Sequence, residues 1–196
     1  MTATTNAPQK KPQAAWIPAL MIGLRLLLIC AVVAGIISFV YAVTKPKAEA
    51  NLRETKRIAI SDIFGMENPD FDEDNGFYTV RDASGTVGYC VESTAAGFGG
   101  DLTLMVGYSA DGTIRGVRIV SHSETPGLGA RVKDDPAHLG QYTGKSGTLK
   151  LNKDGGTDVD AISGATISSR AVNQAVNQAT DVLTKRLAAT SGGDAQ

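Results

Sequence analysis

The chain has 196 residues, and its 19 Lys and Arg residues nearly balance its 20 Asp and Glu residues. Because nucleic-acid binding requires a clustered basic surface, this balance gives no reason to expect a nucleic-acid partner. Two cysteines are too few for a disulfide framework, whereas 22 glycines indicate tight turns or close approach of the backbone to a ligand.

A polar N-terminal segment precedes a long apolar one. Residues 1–15 carry little apolar material with which to order themselves, so we expect a short flexible tail. From 16 to 44 the sequence is apolar except for Arg25, and its uncharged part, Leu26–Val43, has roughly the 17–25 residues that a transmembrane helix needs. A cleaved signal peptide is the alternative, but its apolar core would be shorter, about 7–15 residues. The sequence therefore predicts a retained helix in a lipid bilayer, while the flanking Lys and Arg residues leave its orientation open.

An α+β domain is predicted to follow the apolar segment. Residues 45–62 mix apolar and charged side chains and predict a juxtamembrane helix, and residues 63–189 predict a single domain. Short apolar runs separated by turn residues such as Asp111-Gly112 predict hairpins, and therefore mostly antiparallel strands. We expect these strands at 77–81, 87–92, 102–108 and 114–121.

Two glycine-rich segments interrupt the predicted sheet. Gly97-Phe98-Gly99-Gly100 lacks the Lys-Ser/Thr ending of a nucleotide phosphate loop, so we interpret it as a connection between strands. His122–Gly129 follows a strand, and within it Pro126-Gly127 predicts a type II turn, in which proline sets φ and glycine accepts a positive φ. No second His or Cys lies near His122 at the spacing of metal ligands, so we predict no metal site.

The C-terminal part of the chain is predicted to form a long helix. Residues 130–148 are polar and irregular, with a short helix beginning near Asp134-Asp135-Pro136, and residues 149–151 predict a further short strand. From about Ser168 to Ala188, apolar residues recur at three- and four-residue steps, which is typical of an amphipathic helix that faces a core. Residues 190–196 are small and polar, and we expect a disordered tail.

The stretch Asp160–Ser169, with the sequence DAISGATISS, leads into this helix through small and hydroxyl-bearing residues. A helix N-terminus presents free N–H groups and a partial positive charge, and both stabilise a phosphate. Gly164 and Ala165 leave the backbone accessible, and Thr166 places a hydroxyl just before the helix. The alternative is a hydroxyl-rich cap that opens an ordinary helix, and the physical properties of these residues alone favour the cap.

The same stretch resembles the attachment motif of the FMN-binding domain family. In that family the threonine of Ser-Gly-Ala-Thr, here Thr166, is esterified to the phosphate of FMN. The segment Glu124–Gly129, with the sequence ETPGLG, is similar to a second motif of the membrane-anchored members. With the apolar segment and the single domain, these motifs resemble the G subunits of Rnf-type ion-translocating ferredoxin:NAD oxidoreductases. The C subunits of sodium-translocating NADH:quinone oxidoreductases are relatives of that family.

The resemblance implies a role for each motif residue. Thr166 would carry FMN through a phosphoester, and Asp160 would be recognised by a separate flavin transferase that uses Mg²⁺ to move FMN from FAD. Because that transferase performs the attachment, we expect no catalytic residue in the chain itself. The other cofactor-binding residues implied by the two motifs are Glu124, Thr125, Leu128, Gly129, Ser163, Gly164, Ala165 and Ser168.

The resemblance also implies the function and the location. The chain would be an electron-transfer subunit, not catalytic alone, of a cell-membrane translocase that couples ferredoxin:NAD electron transfer to the movement of Na⁺ or H⁺. Its partners would be the other integral membrane and redox subunits, with the 1–15 tail in the cytoplasm and the 63–189 domain outside it. Two alternatives stay open: a stand-alone membrane-anchored extracytoplasmic flavoprotein, and a membrane-anchored binding module without a redox role.

Overall fold

The computed structural model describes residues 16–192 and the side chains of residues 20–189. The predicted tail at 1–15 lies outside the described residues, as do residues 193–196. The elements in chain order are α1 (Trp16–Phe64), β1 (Asp70–Asp74), β2 (Phe77–Asp82), β3 (Gly85–Ala96), β4 (Asp101–Ser109), β5 (Ile114–His122), α2 (Arg131–Asp134), α3 (Pro136–Gly140), a 3-10 turn (Asn152–Asp154) and α4 (Thr166–Gly192). Residues 190–192, which we assigned to the C-terminal tail, are therefore the last residues of α4. The chain divides into two units between Ala50 and Asn51.

The first unit contains the apolar part of α1. Every side chain from Leu20 to Ala50 is exposed, and most of them are apolar. A helix that is apolar on all sides has no face for water, and α1 is long and apolar enough to cross a membrane by length and composition. The two helices that we predicted on either side of residue 44 belong to one continuous helix, since α1 continues through Pro46 even though proline removes one backbone N–H donor.

The second unit is built on a five-stranded antiparallel sheet whose strands follow chain order, β1 to β5. Each strand pairs with the next through a short connection, and residues 83–84 form the turn that joins Asp82 to its partner Gly85. The sheet and the helix α4 confirm the predicted α+β fold. We did not predict β1, because its sequence DFDED has one apolar residue and lies at the sheet edge, where little burial is required.

The two faces of the sheet carry separate apolar clusters. Along β4, Leu104 and Val106 point towards α4, whereas Met105 between them points to the other face, as the two-residue period of a strand requires. The first cluster packs the apolar stripe of α4, which consists of Ala171, Val172, Ala175, Val176, Ala179 and Leu183. The second cluster packs the C-terminal end of α1, namely Ala59, Ile60, Ile63 and Phe64. The sheet is thus covered on both faces by helices.

The strand predicted at residues 149–151 is wrong. Leu151 forms a single parallel bridge with Val159, and no longer ladder exists among the described residues there. The Asn177 side chain on α4 replaces a neighbouring strand: its Oδ1 accepts from the Leu149 N–H and its Nδ2 donates to the Leu149 carbonyl, both at 2.9 Å. A carboxamide can satisfy both backbone groups in this way, so the segment is held without a sheet partner.

Two glycines let α1 approach the sheet closely. Gly107 on β4 and Gly116 on β5 are register partners, and both lie beneath Ile63. A Cβ atom on Gly107 would overlap Cγ2 of Ile63 and lie 3.2 Å from the Phe64 ring. A Cβ atom on Gly116 would lie 3.6 Å from the nearest Ile63 atom, which is an ordinary contact.

We therefore expect Gly107→Ala to lower the free energy of unfolding by about 1–3 kcal/mol, because the added methyl overpacks the contact with Ile63. Gly116→Ala is the matched control and should change this free energy far less. Urea unfolding of the full chain in detergent measures both. Equal losses in the two variants would contradict the close approach at Gly107.

Candidate functional site

A pocket of about 250 Å³ lies where the segment after β5 meets the beginning of α4. Thr166 lines it, together with every predicted cofactor-binding residue except Ser163. Its lining is formed by Phe98, Glu124, Thr125, Leu128, Gly129, Gly164, Ala165, Thr166, Ile167 and Ser168. The fold therefore brings together two motifs that are far apart in the sequence, while Ser163 and Asp160 lie outside the lining.

The first wall of the pocket is a tight turn. The Leu128 N–H donates to the Thr125 carbonyl at 3.2 Å, and Gly127 has a φ of 74°, as the predicted Pro126-Gly127 turn requires. The Ala130 N–H bonds the same carbonyl at 3.1 Å, so the chain wraps around Thr125 before α2 begins. This geometry places Thr125 and Leu128 side by side in the pocket wall.

The second wall is the N-terminus of α4. Gly164 has a φ of 82°, which turns the chain into the helix that begins at Thr166. The buried Ser169 fixes this turn, because its Oγ accepts a hydrogen bond from the Ile162 N–H at 3.1 Å. The first N–H groups of a helix have no partner within it, so Thr166 lies beside donors that a phosphate can use.

A buried carboxylate links the two walls to a third segment. Glu124 is 5% exposed, and its Oε2 accepts a hydrogen bond from the Ser168 hydroxyl at 2.9 Å. Its Oε1 accepts one from the Phe98 N–H at 2.8 Å. The connection between β3 and β4 is in this way tied to the pocket, so that Phe98 lies at its mouth.

The rim of the pocket is apolar and open to solvent. Phe98, Leu128 and Ile167 are 68%, 49% and 50% exposed, although large apolar side chains are usually buried. An exposed apolar rim of this kind is typical of a ligand-binding site. Apolar side chains at the mouth and a helix N-terminus in the wall together fit a ligand that has a flat ring system and a phosphate.

Phe98 and Ile167 were missed by the sequence reasoning. We interpreted Gly97-Phe98-Gly99-Gly100 only as a connection between strands, which it is. The signal that could have identified Phe98 is an aromatic residue flanked by glycines, where no neighbouring side chain can cover it. Ile167 gave no such signal, because an apolar residue at the start of an amphipathic helix is expected to be buried.

Three side chains form hydrogen bonds with Asp160, which lies outside the pocket lining. Its N–H donates to Gln141 Oε1 at 2.7 Å, and its carboxylate accepts from Asn152 Nδ2. Its carbonyl lies 3.2 Å from Nδ1 of the buried His138, so that nitrogen carries the proton. Burial lowers the pKa of His138, partly offset by this hydrogen bond, so the ring is neutral at pH 7. The loop that leads to Thr166 is therefore well supported.

Two arginines flank the same loop and differ in their partners. Arg131 donates to the Ser163 carbonyl at 3.2 Å, a neutral acceptor. Arg170 binds the Asp154 carboxylate through Nε and Nη2, at 2.9 and 2.6 Å, which lowers the pKa of Asp154. Asp154 thus balances the charge of Arg170, whereas the contact of Arg131 with a neutral carbonyl leaves its positive charge beside Gly164.

Comparison with known proteins identifies the class to which this site belongs. Residues 97–181 match the FMN-binding domain family, and that range includes every residue that lines the pocket. The class that the fold and the pocket define is therefore the FMN-binding domain.

Relatives share most of the chain. The G subunit of an ion-translocating oxidoreductase complex from Methanosarcina acetivorans is 37% identical over 80% of this chain and 89% of its own length. The G subunit of the proton-translocating ferredoxin:NAD(+) oxidoreductase complex from Clostridium ljungdahlii is 32% identical over 79% and 86%. The G subunit of the Na(+)-translocating complex from Acetobacterium woodii is 30% identical over 89% and 96%. The chain belongs to this family, the G subunits of ion-translocating oxidoreductase complexes.

The hydrogen bond between Ser169 and Ile162 gives a prediction about the attachment loop. Ser169→Ala leaves a buried N–H without an acceptor, so we expect the free energy of unfolding to fall by about 1–3 kcal/mol and the Ile162 amide to exchange faster. Ser163→Ala, at an exposed position in the same loop, should stay within about 0.5 kcal/mol of the unaltered chain. Urea unfolding and amide hydrogen exchange measure these effects. An Ile162 amide that stays protected in Ser169→Ala would show that another acceptor holds it.

Proposed function

We propose that this chain is an electron-transfer subunit that carries FMN through a phosphoester to Thr166. Its complex would couple ferredoxin:NAD electron transfer to Na⁺ or H⁺ translocation across the cell membrane. The observation that carries the proposal is the convergence of the ETPGLG and SGAT segments on one pocket at the N-terminus of α4. A plain helix cap would need only the second segment, whereas a ligand site needs both walls.

The residues around Thr166 suit a phosphate. The N-terminus of α4 offers N–H donors and the positive end of the helix dipole. Arg131 adds a positive charge close by, through its contact with the Ser163 carbonyl. The negative charge of Glu124 is directed at the Phe98 N–H and the Ser168 hydroxyl, so it is already satisfied by donors. These features favour an anion at Thr166 over a cation.

The other pocket residues would hold the rest of the cofactor. Bound FMN supplies one-electron redox chemistry, and the protein positions it and sets its environment. The side chains of Phe98, Leu128 and Ile167 offer apolar surface for a flat ring system and exclude water from it. Thr125 and Gly129 line the same pocket, and the hydroxyl of Thr125 would provide a directional contact.

Attachment would require a separate flavin transferase. The Thr166 hydroxyl would form the phosphoester with FMN while the pyrophosphate bond of FAD breaks and AMP leaves. We find no base of this chain hydrogen-bonded to that hydroxyl among the described residues. The transferase would use Mg²⁺ to neutralise the pyrophosphate of FAD during transfer. We propose that the transferase recognises Asp160, the first residue of the motif. The loop that contains Asp160 is held in place by Gln141, Asn152 and His138. A firmly held loop presents Thr166 in one conformation.

The helix α1 and the family support a membrane role. We propose that residues 16–44 span the bilayer, that 45–62 continue as a juxtamembrane helix, and that the domain at 63–189 lies outside the cytoplasm. Anchoring raises the effective concentration of the flavin near integral redox partners. The two relatives named for their coupling ion differ, one for protons and one for Na⁺, so the proposal keeps both ions.

The alternatives predict different behaviour. A stand-alone extracytoplasmic flavoprotein would keep the flavin but have no complex. A membrane-anchored binding module would have neither, and its Ser163–Ser169 stretch would be only a cap. The exposed apolar rim and the second motif in the pocket favour a flavin site over the plain module.

The attachment residue gives the most direct prediction. In cells that also contain the transferase, the unaltered chain should give a fluorescent band on a denaturing gel under ultraviolet light. Thr166→Val keeps the size and shape of the side chain but removes the hydroxyl, so we expect a dark band and an unchanged unfolding midpoint. Thr157→Val makes the same change at an exposed threonine outside the motif, so it is the matched control and should keep the band. A fluorescent Thr166→Val band would rule out Thr166, and a dark band from the unaltered chain would rule out covalent flavin.

A second experiment tests the membrane complex. A cysteine at the exposed turn residue Ser84 should react in intact cells with a membrane-impermeant maleimide, because the domain is proposed to lie outside the cytoplasm. Cys90 is buried, and Cys30 lies within the segment proposed to span the bilayer, so the unaltered chain should react far more slowly and serves as the control. The labelled protein, purified in mild detergent, should bring integral membrane subunits with it. Absence of label would contradict the orientation, and labelled protein without partners would support the stand-alone flavoprotein.

A further inference from the structure

Glu124 has a role in the site that the motif alone does not reveal. It is 5% exposed, although an acidic side chain is rarely buried without partners. Each of its two carboxylate oxygens accepts one hydrogen bond, from the Phe98 N–H at 2.8 Å and from the Ser168 hydroxyl at 2.9 Å. These donors belong to the β3–β4 connection and to the first turn of α4. The carboxylate therefore joins two segments that are far apart in the sequence.

Two glycines make room for this carboxylate. A Cβ atom on Gly97 would overlap Glu124 Oε1, and a Cβ atom on Gly129 would overlap Oε2. Neither glycine has a positive φ, so the absence of a side chain is explained by space and not by backbone conformation. The Gly129 position would also lie 2.9 Å from Ser168 Oγ. The carboxylate therefore lies against backbone on both sides, in space that a side chain on either glycine would occupy.

We propose that Glu124 is a positioning residue that does not bind the cofactor but fixes Phe98 and the first turn of α4 relative to each other. This inference rests on the proposed function, because the two segments it joins are the apolar mouth and the attachment helix of the flavin site. Through Ser168 the carboxylate holds the helix two residues beyond Thr166. Through the Phe98 N–H it holds the backbone from which the exposed Phe98 ring projects.

Two other roles for Glu124 make different demands. A direct ligand would direct a carboxylate oxygen into the pocket, and an electrostatic role would depend on the negative charge. The proposed positioning role, in which Glu124 acts as a brace between the two segments, needs only an acceptor for the Phe98 N–H and a partner for the Ser168 hydroxyl. Glutamine supplies both, since its Oε1 can accept from the amide while its Nε2 donates to the hydroxyl, which accepts as well as donates.

The test compares Glu124→Gln with Glu124→Ala in the full chain, both unmodified and flavin-loaded. Hydrogen exchange of the Phe98 amide reports the brace directly. We expect Glu124→Gln to keep this amide protected within about threefold of the unaltered chain, and Glu124→Ala to exchange it at least about tenfold faster. Flavin fluorescence anisotropy in loaded protein should fall only in Glu124→Ala. Fast exchange in Glu124→Gln, or protection in both variants, would overturn the proposal.

The glycine provides an independent variant. Gly129→Ala adds a methyl group where the carboxylate lies, so it should accelerate exchange of the Phe98 amide as Glu124→Ala does. In the double variant Gly129→Ala with Glu124→Ala, exchange should be no faster than in Glu124→Ala alone, because the group that clashes is gone. Gly140→Ala is the control, since its added Cβ meets open space. Additive effects, or normal exchange in Gly129→Ala, would contradict the brace. If Glu124→Ala does not fold, Glu124→Gln and Gly129→Ala still decide the question.

Failure of the brace and failure of the proposed function give different results. The exchange measurement also works in Thr166→Val, which has no attachment hydroxyl. A dark gel with a protected Phe98 amide would reject the covalent flavin and leave the brace. A fluorescent gel with an unaffected Phe98 amide in Glu124→Ala would reject the brace and leave the covalent flavin. A changed flavin reduction potential in Glu124→Gln with a protected amide would assign the residue an electrostatic role instead, and would overturn the proposal.

Discussion

The burial of the apolar stripe of α4 against β3 and β4 decides where the pocket lies. Residues such as Val172, Val176 and Leu183 are nearly inaccessible in that contact, so the helix can neither slide nor rotate without exposing them. Each fully buried side chain of this kind contributes roughly 1.5–3 kcal/mol. The N-terminus of α4 is then fixed in space, together with its unpaired N–H groups. The other parts of the site are arranged around that one point.

The parts of the fold that sequence predicts well are those decided locally. The hairpin at Asp111-Gly112 and the turn at Pro126-Gly127 follow from residues within a few positions of each other. The strand predicted at 149–151 was wrong because the backbone groups of Leu149 bond to the side chain of Asn177, which lies 28 residues away in the sequence. The edge strand β1 was missed for the opposite reason, since an edge needs few apolar residues to form.

The site shows the same division between local and long-range effects. The two motifs pointed to seven lining residues besides Thr166, because the resemblance carried them, whereas the physical properties of Asp160–Ser169 alone favoured an ordinary cap. The place of Phe98 at the pocket depends on its hydrogen bond with Glu124, 26 residues away in the sequence. The bond between Glu124 and Ser168 spans 44 residues. No periodicity or spacing reports such a contact. A buried acid between two glycine-containing segments is recognised only when the segments are seen together.

The acidic strand β1 has a consequence for a protein that works among other polypeptides. Its outer side presents unpaired backbone groups, the usual template on which a foreign strand adds itself and begins aggregation. Asp72 and Asp74 are paired with Arg81 and Arg186 and remain largely exposed. An incoming strand would have to desolvate these charges, so non-specific strand addition at this edge is unfavourable. In a crowded membrane assembly, the charged edge therefore restricts association to specific, complementary interfaces.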